Sequence, residues 1–482
     1  MIDFLKKYTT KTISLLGGIV FIFSACSSDD DASNNKENSG IEKLDLSQYT
    51  GDTQGVMMQA FYWDVEPIGE WYTTVETKLT DWSNSGINRI WLPAPGKGQS
   101  GSFSMGYDPS DYFDVGEFDQ HGTIKTRFGS RAELEGLINT AHQNNIEVIA
   151  DIVLGHNSGG GQQDNPYRPG DTKVYSLFNE ANGNASGKFN RNYEHFHPNS
   201  IHTNDAEALF FEKTDLCHDQ QYVQDWLWLR DDSVANFYKD VLGFDGWRFD
   251  YVKSFAPSVV AEWNKKVGGF SVGENFDGNA NTLKDWVDAS QSAAFDFACF
   301  YRLEEALDRE KDLSILAESK NMLRKIYPDK AVTFIANHDT EKEENLNNRI
   351  SYANKMMAHA YILMHDGYPT LFYSDFENPL FKEQLKNLIR IRNSLASGNV
   401  KIMKAVKNEY IMQREGTDNN PGLILYLNIG TEIATHEVNT SWTNKTLIDY
   451  TDNTKDNPIT NLSGTTILSA PPKSFSIWSI AK

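Results

Sequence analysis

Cysteine is scarce in this chain, with three residues among 482, so no disulfide framework carries the fold and stability must come from an apolar core. Positive charge is also short: 45 Lys and Arg stand against 66 Asp and Glu, a formal net charge of −21. Nucleic-acid binding is thereby disfavoured, because the phosphate backbone has to be met by clustered cations. Long hydrophobic runs are missing. The apolar stretch near the N-terminus, Ile13 to Phe23, is too short to span a bilayer. No glycine-rich phosphate fingerprint follows the first strand-like segment, which argues against a dinucleotide fold. No repeat of solenoid or propeller period is visible.

Lys6, Lys7 and Lys11 precede that apolar stretch and small residues follow it up to Cys26, the pattern of an export signal. The sequence FSAC resembles a bacterial lipobox, with Phe23 where Leu is usual, and implies lipidation of Cys26. Residues 1–25 are then a lipoprotein signal peptide, and the polar residues 26–49 a flexible tether. The Asp29 to Asp31 cluster either resembles a surface-export signal or is only a solvated linker. The expected location is the outer membrane, reached through the lipid alone. If the acidic cluster acts as that signal, the chain reaches the cell surface.

From about Gln54 onward apolar runs alternate with helical patterns, and VMMQAF, INRIWL, IEVIADIVL, FDGWRFD, FSVG, SAAFDF, AVTFIA and PTLFYS read as strands. Ser130 with Glu133 forms a capping box ahead of Leu134, Leu137, Ile138 and Ala141 at helical spacing. Residues 74–83 and 384–395 read as further amphipathic helices. Continuous apolar strands separated by helices belong to a parallel sheet covered on both faces. Eight such units predict an α/β fold, a closed (β/α)8 TIM barrel over residues 50–154 and 220–397. Residues 155–219, rich in Gly, Asn and His and without periodicity, read as an inserted subdomain. From residue 398 to 482, alternating runs divided by Asn, Gly, Asp and Pro predict a C-terminal antiparallel β-sandwich.

The segment GFDGWRFDYVK puts Arg248 and Asp250 two residues apart, hence on one face of a strand. An Arg beside it keeps a carboxylate ionised. Two further apolar runs end in carboxylates, at Glu274 in FSVGENF and at Asp339 in FIANHD. Asp151 and His156 lie near the end of the third strand. A lone carboxylate at a strand end is usually a cap or an ion-pair partner. Several together point to glycoside hydrolysis, in which one carboxylate attacks a sugar carbon and a second, protonated, donates to the leaving oxygen.

From about Thr50 to the C-terminus the chain resembles the α-amylase family of glycoside hydrolases, glycoside hydrolase family 13. Its four signature regions occur in order as DIVLGH, GWRFDYVKS, GENF and ANHD. The resemblance implies Asp250 as nucleophile, Glu274 as general acid and base, and Asp339 as the third carboxylate, which holds sugar hydroxyls. It implies that Arg248 orients Asp250, that His156 and His338 bind hydroxyls, and that Tyr107, in GYDP, stacks on the sugar ring. Lys253 is implied as a contact one subsite along, and Tyr62 and Trp63, in QAFYWD, as residues lining the cleft. The wording of these segments is nearer to archaeal and plant-like α-amylases than to fungal or animal ones. Trp226 and Trp228 read as helix packing, and Cys299 as core.

His197, His202 and Cys217 form a zinc-favouring set of imidazoles and a thiolate. Archaeal family members carry a similar set as zinc ligands, with His195, His218 or water left open here as the fourth. The resemblance also implies Ca²⁺ on Asp205, Asp215 and the main-chain oxygen of Ser254. Gly155 stands where the family has a calcium-binding Asn, so Asn157 substitutes or the site is weak or lost. The expected activity is retaining, endo-acting hydrolysis of α-1,4-glucosidic bonds of starch or glycogen by a monomer. The alternatives are a transglycosylase or maltooligosaccharide-specific hydrolase of the same family, and a non-catalytic starch-binding surface lipoprotein.

Overall fold

The computed structural model describes residues 41–53, 55–168, 173–178, 185–203, 214–317, 321–342 and 349–482. Cys26, the signal segment and Asp205 lie outside the described residues. Eight short parallel strands close a barrel: β1 (Met57–Gln59), β2 (Arg89–Leu92), β3 (Glu147–Ile152), β4 (Gly246–Phe249), β5 (Phe270–Gly273), β6 (Ala293–Phe295), β7 (Ala331–Thr333) and β8 (Tyr368–Phe372). Neighbours follow chain order, and β8 closes the ring on β1 with Met57 opposite Thr370. Each predicted run overlaps one of these strands; FSVG coincides with β5, β8 begins one residue ahead of PTLFYS, and the other strands are shorter than their runs. In AVTFIA, for example, Phe334, Ile335 and Ala336 are buried without joining the ladder. Apolar sequence marks burial, and pairing occupies only part of it.

The helix expected over residues 74–83 is two helices, α1 (Trp71–Glu76) and α2 (Leu79–Asn84), whose buried residues include Val75, Leu79 and Trp82. The helix α3 (Arg131–Gln143) carries the expected capping box, with both Ser130 and Glu133 bonds formed. Further helices are α4 (Pro257–Val267), α5 (Ala280–Ser290), α6 (Phe297–Glu304), α7 (Lys355–Met364) and α8 (Lys382–Leu395). At Gly273 a side chain is excluded, because a Cβ there would come within 2.1 Å of the Trp286 ring. This close approach seats α5 against the strand that presents Glu274. Among the described residues no helix is long and apolar enough to cross a membrane.

Beyond the barrel lie β9 (Val400–Val406), β10 (Glu409–Arg414), β11 (Leu423–Asn428), β12 (Ala434–Asn439), β13 (Leu447–Asp449), β14 (Thr465–Ala470) and β15 (Ser474–Ile480). They form an antiparallel sheet in the order β9-β10-β11-β15-β13 and a ribbon β12-β14. Alternate residues of the sheet serve two cores. Tyr410, Met412, Leu423, Leu425 and Leu427 join the core that fills the barrel, whereas Ile411, Ile424, Tyr426 and Trp478 pack with Val438 and Leu468 of the ribbon.

Residues 41–49, assigned from sequence to the tether, pack against this region instead. Leu46 is buried, Lys43 pairs with Asp452, and the backbone of Leu44 donates to the Tyr450 hydroxyl. Leu44 and Tyr49 also pack partly buried against the core and Glu42 pairs with Lys482, so a few apolar and charged contacts dock this short polar segment. In the inserted stretch, the described residues include a ribbon of Gly161–Asp164 with Lys173–Leu177, and backbone bridges of His156 with Asp215 and Phe196 with Leu216. Trp226, Trp228 and Cys299 are all buried core residues, as their sequence setting indicates.

Candidate active site

Register places the first pair. Asp151 of β3 stands directly opposite Arg248 of β4, and both side chains are fully buried. Nη1 of Arg248 donates to Asp151 Oδ1 and Oδ2 at 2.8 and 3.0 Å and to Asp250 Oδ1 at 2.7 Å. Nη2 of the same guanidinium lies 2.7 Å from Glu274 Oε1 without forming an aligned hydrogen bond. Three carboxyl groups therefore face one cation. Asp250 directly follows β4 and Glu274 directly follows β5, so both emerge at the C-terminal end of the barrel, the end where barrel active sites form.

The environments of these groups separate their protonation states. Burial pushes the Glu274 carboxyl up to about 8, with Arg248 opposing and the charges of Asp250 and Asp339 assisting. It is thus a neutral acid at neutral pH. The next residue after Asp250, Tyr251, has φ of 33°, a left-handed conformation costly for a side chain of this kind. The turn aims the Tyr251 backbone N–H at Glu274 Oε2, 3.2 Å away. Burial also raises Asp151, to about 6, against the pull of Arg248.

A directed chain of hydrogen bonds closes the site on the other side. Burial holds His338 neutral, with its pKa lowered to about 3. Gln59 Nε2 donates to His338 Nδ1 at 2.9 Å, so the ring proton sits on Nε2 and points to the Tyr107 hydroxyl at 2.8 Å. Tyr107 in turn donates to Asp151 Oδ2 at 3.0 Å, and Trp91 Nε1 donates to the same oxygen at 3.1 Å. The Trp63 ring lies nearly parallel to Tyr107 and His338, each 6.0 Å away between centroids. His156 is buried, with Nε2 on the Tyr107 carbonyl oxygen at 2.8 Å. Asp339 is six residues beyond the last residue of β7. Burial would raise its carboxyl, but His338 and Lys342 outweigh it and draw it below the usual range.

The remaining expected contacts divide. Lys253 reaches Asp277, three residues past Glu274, at 3.1 Å, so it bridges the loops after β4 and β5. Tyr62 stacks on Tyr373 at 5.8 Å and meets the edge of Trp71. It belongs to an aromatic cluster beside the site, while Trp63 faces the site itself. Sequence reasoning placed Asp151 at a strand end but gave it no role, and it left out Gln59 and Trp91. Asp151 was visible as a polar residue in an apolar strand, but only the β3–β4 register pairs it with Arg248.

In the inserted stretch, the ligand atoms of His197, His202 and Cys217 lie within 4.8 Å of one another. His197 Nδ1 meets Asp215 Oδ2 at 2.8 Å and His202 Nε2 meets Asp219 Oδ2 at 2.6 Å, so a carboxylate orients each ring, and His197 also hydrogen-bonds the Cys217 thiol, the contact a shared metal would replace. Burial pushes the Cys217 thiol up, but His197 and Asn199 outweigh it and bring it below its ordinary value. Neither His195 nor His218 joins the cluster. His195 stacks on Tyr222 and accepts from the Asn192 backbone, and His218 is bonded to the Leu154 carbonyl.

For Ca²⁺ the described donors fit in part. Asp215 spends Oδ2 on His197, while its Oδ1 is buried without a hydrogen-bond partner, and neither polar atom of the buried Asn157 side chain has an aligned partner. At Gly155 a Cβ would meet Ser254 Oγ at 2.3 Å. The Ser254 hydroxymethyl, donating to the Tyr251 carbonyl at 2.9 Å, therefore fills the space a larger residue at 155 would need.

A (β/α)8 barrel that sets a neutral carboxyl and an Arg-bound carboxylate side by side at its C-terminal end is the catalytic unit of a glycoside hydrolase. Residues 64–377 match the family profile described as alpha amylase, catalytic domain, and residues 423–479 match alpha-amylase C-terminal. The chain belongs to the α-amylase family. The cytoplasmic alpha-amylase of Escherichia coli (strain K12) is 25% identical over 88% of this chain and 98% of its own. Probable alpha-amylase 2 of Arabidopsis thaliana is 28% identical over 77% and 88%. The alpha-amylase of Bacillus licheniformis is 26% identical over 71% and 77%, so plant and bacterial relatives are similar to a like degree. Among solved structures, the acarbose-complexed α-amylase of Geobacillus thermoleovorans shares the fold with a TM-score of 0.64 at 18% identity, covering 89% of this chain and 98% of that one. The cyclomaltodextrin glucanotransferase CldA does so with a TM-score of 0.66 at 18% identity, covering 89% and 100%.

Proposed function

We propose that this protein is a retaining, endo-acting α-amylase that hydrolyses internal α-1,4-glucosidic bonds of starch or glycogen. The observation that carries the reading is the split between Asp250, held by Arg248, and Glu274, kept protonated by burial. Asp250 attacks the anomeric carbon while Glu274 gives its proton to the departing glycosidic oxygen, leaving a glucosyl ester on Asp250. Glu274, now a carboxylate, takes a proton from water, which attacks the same carbon and frees Asp250. Asp339 and His338 hold hydroxyls of the sugar at the cleavage point, and Tyr107 and Trp63 supply ring faces. Arg248 positions Asp250, while His156 and Lys253 complete the contacts. Incubation with starch, glycogen, pullulan and cyclodextrins, with products resolved over time, tests this. A broad early mixture of oligosaccharides with rising reducing ends is expected. Redistribution of chain lengths without new reducing ends would mark a transglycosylase instead.

The proton on Glu274 sets a pH dependence. The acid must be protonated to serve the leaving group, so kcat/KM of the free enzyme is expected to fall about tenfold per unit above about pH 8. An activity that stayed level to pH 10 would exclude Glu274 as the donor.

The metal reading is zinc on His197, His202 and Cys217, oriented by Asp215 and Asp219, and calcium on Asp215, Asn157, the Ser254 carbonyl and Asp205. Bound metal would cross-link the inserted stretch and stabilise it by mass action. Removal by EDTA is expected to lower the melting temperature by roughly 5 °C, with zinc recovered in the chelate near one per chain. An unchanged melting temperature sinks both metals. Export as a monomer lipidated at Cys26 and held at the outer membrane completes the proposal. Its support is the Lys6, Lys7 and Lys11 cluster before Ile13 to Phe23. Protease added to intact cells should cleave the chain, and protection would place it inside.

A further inference from the structure

Lys342 has no part in the proposed reaction, yet its ammonium is closely engaged with the substrate-holding groups. Nζ lies 2.5 Å from Asp339 Oδ1 and 3.4 Å from the centroid of the Trp63 ring. The two contacts come from distant parts of the chain that meet at the C-terminal end of the barrel, one from the loop after β7 and the other from the loop after β1. Trp63 and Asp339 are a ring face and a carboxylate, the two kinds of group that grip a sugar, one by stacking and the other by bonding hydroxyls. A cation seated between them satisfies both at once, since the ring face is negative and the carboxylate is charged. The Lys342 side chain is largely covered and the Asp339 carboxylate is partly open, so the contact sits at the edge of the cleft.

We propose that Lys342 is an affinity-determining residue that competes with a sugar for Asp339 and Trp63, and that an α-glucan must displace it from both to bind. The inference rests on the α-glucan reading of the same site. It follows that ligand binding is paid back less than its own contacts imply, because each productive contact replaces one already made by the ammonium. Other charged and polar groups around Asp339, namely His338, Arg248, Glu274 and Tyr107, belong to the bond-breaking centre and stay in place when substrate enters. Lys342 reaches this centre from a partly exposed side chain that can swing on four rotatable bonds.

Titration calorimetry with maltohexaose in a Glu274→Gln background, which binds without turnover, separates this role from a structural one. Lys342→Met is expected to bind about three- to tenfold more tightly than its Lys342 parent, and Lys342→Arg to keep the parent affinity. Lys342→Gln, which keeps a polar stem, is expected to move in the same direction as Met and serves if Met fails to fold. Equal or weaker binding by the neutral variants overturns the proposal, since a residue that merely supports Asp339 would lose affinity on removal. No binding by the parent itself would overturn the α-glucan reading, and the Lys342 inference with it. For the active enzyme, a lower KM for maltooligosaccharides in Lys342→Met is the matching kinetic result, and a raised KM with reduced kcat opposes it.

Discussion

Asp250→Ala is expected to lose about 10⁴- to 10⁶-fold in kcat on starch, with the melting temperature little changed, because the nucleophile and the covalent intermediate disappear together. The side chain is only partly exposed and makes its resolved bond to Arg248. Arg248 keeps its two bonds to Asp151 when Asp250 is cut back, so its charge stays compensated. That is why activity should fall far more than stability. Release of reducing ends from soluble starch measures the first and thermal unfolding the second. A variant retaining more than about a hundredth of the activity would show that attack does not come from this carboxylate. Added azide or formate offers a second reading, since a small anion can enter the space left by the carboxylate and restore some turnover with inverted product.

The parts of this site that were legible in sequence are those carried by local pattern. Each barrel strand announces itself as an apolar run, and a carboxylate directly after such a run, as at Asp250 and Glu274, lands at the catalytic end by topology alone. Asp339 needed its motif, because three buried residues and a turn separate it from the strand. What stayed hidden depends on pairs far apart in the chain. Asp151 meets Arg248 through strand register, Gln59 fixes the His338 tautomer across the barrel, and Lys342 meets Trp63 across the cleft. None of these pairings follows from spacing. The tether boundary failed for a related reason, since the polar residues 41–49 find their partners at Tyr450 and Asp452. Composition identifies a segment that need not fold by itself, and it says nothing about a surface waiting for it.

Arg248→Met is expected to damage both activity and stability, and the size of the stability loss should depend on pH. In the native site one guanidinium faces Asp151, Asp250 and Glu274. Two of these are already held above their ordinary values by burial, Asp151 at about 6 and Glu274 at about 8. A carboxyl whose pKa is raised in the folded state binds its proton more tightly there than in the unfolded chain. Its contribution to stability is therefore fully present below the unfolded pKa, near 4, and is lost as pH rises through the folded value. Removing the cation raises both groups further and leaves Asp151 and Asp250 as like charges in one buried site. One of them must take a proton or the fold must bear an unpaired charge, at a cost of about 3–5 kcal/mol. The deficit relative to the native protein should thus be small at pH 5 and largest at pH 8, and kcat/KM at pH 7 should fall on the order of 10³-fold as Asp250 loses its partner and its orientation. Urea unfolding at the two pH values tests the first part. The same deficit at pH 5 and pH 8 would show that Arg248 acts through packing alone. The double variant Arg248→Met with Asp151→Asn removes one of the two repelling carboxylates, so it should regain much of the stability at pH 8 while activity stays low. That separation would assign Asp151 to balancing the charge of Arg248, and Arg248 to keeping Asp250 ready to attack.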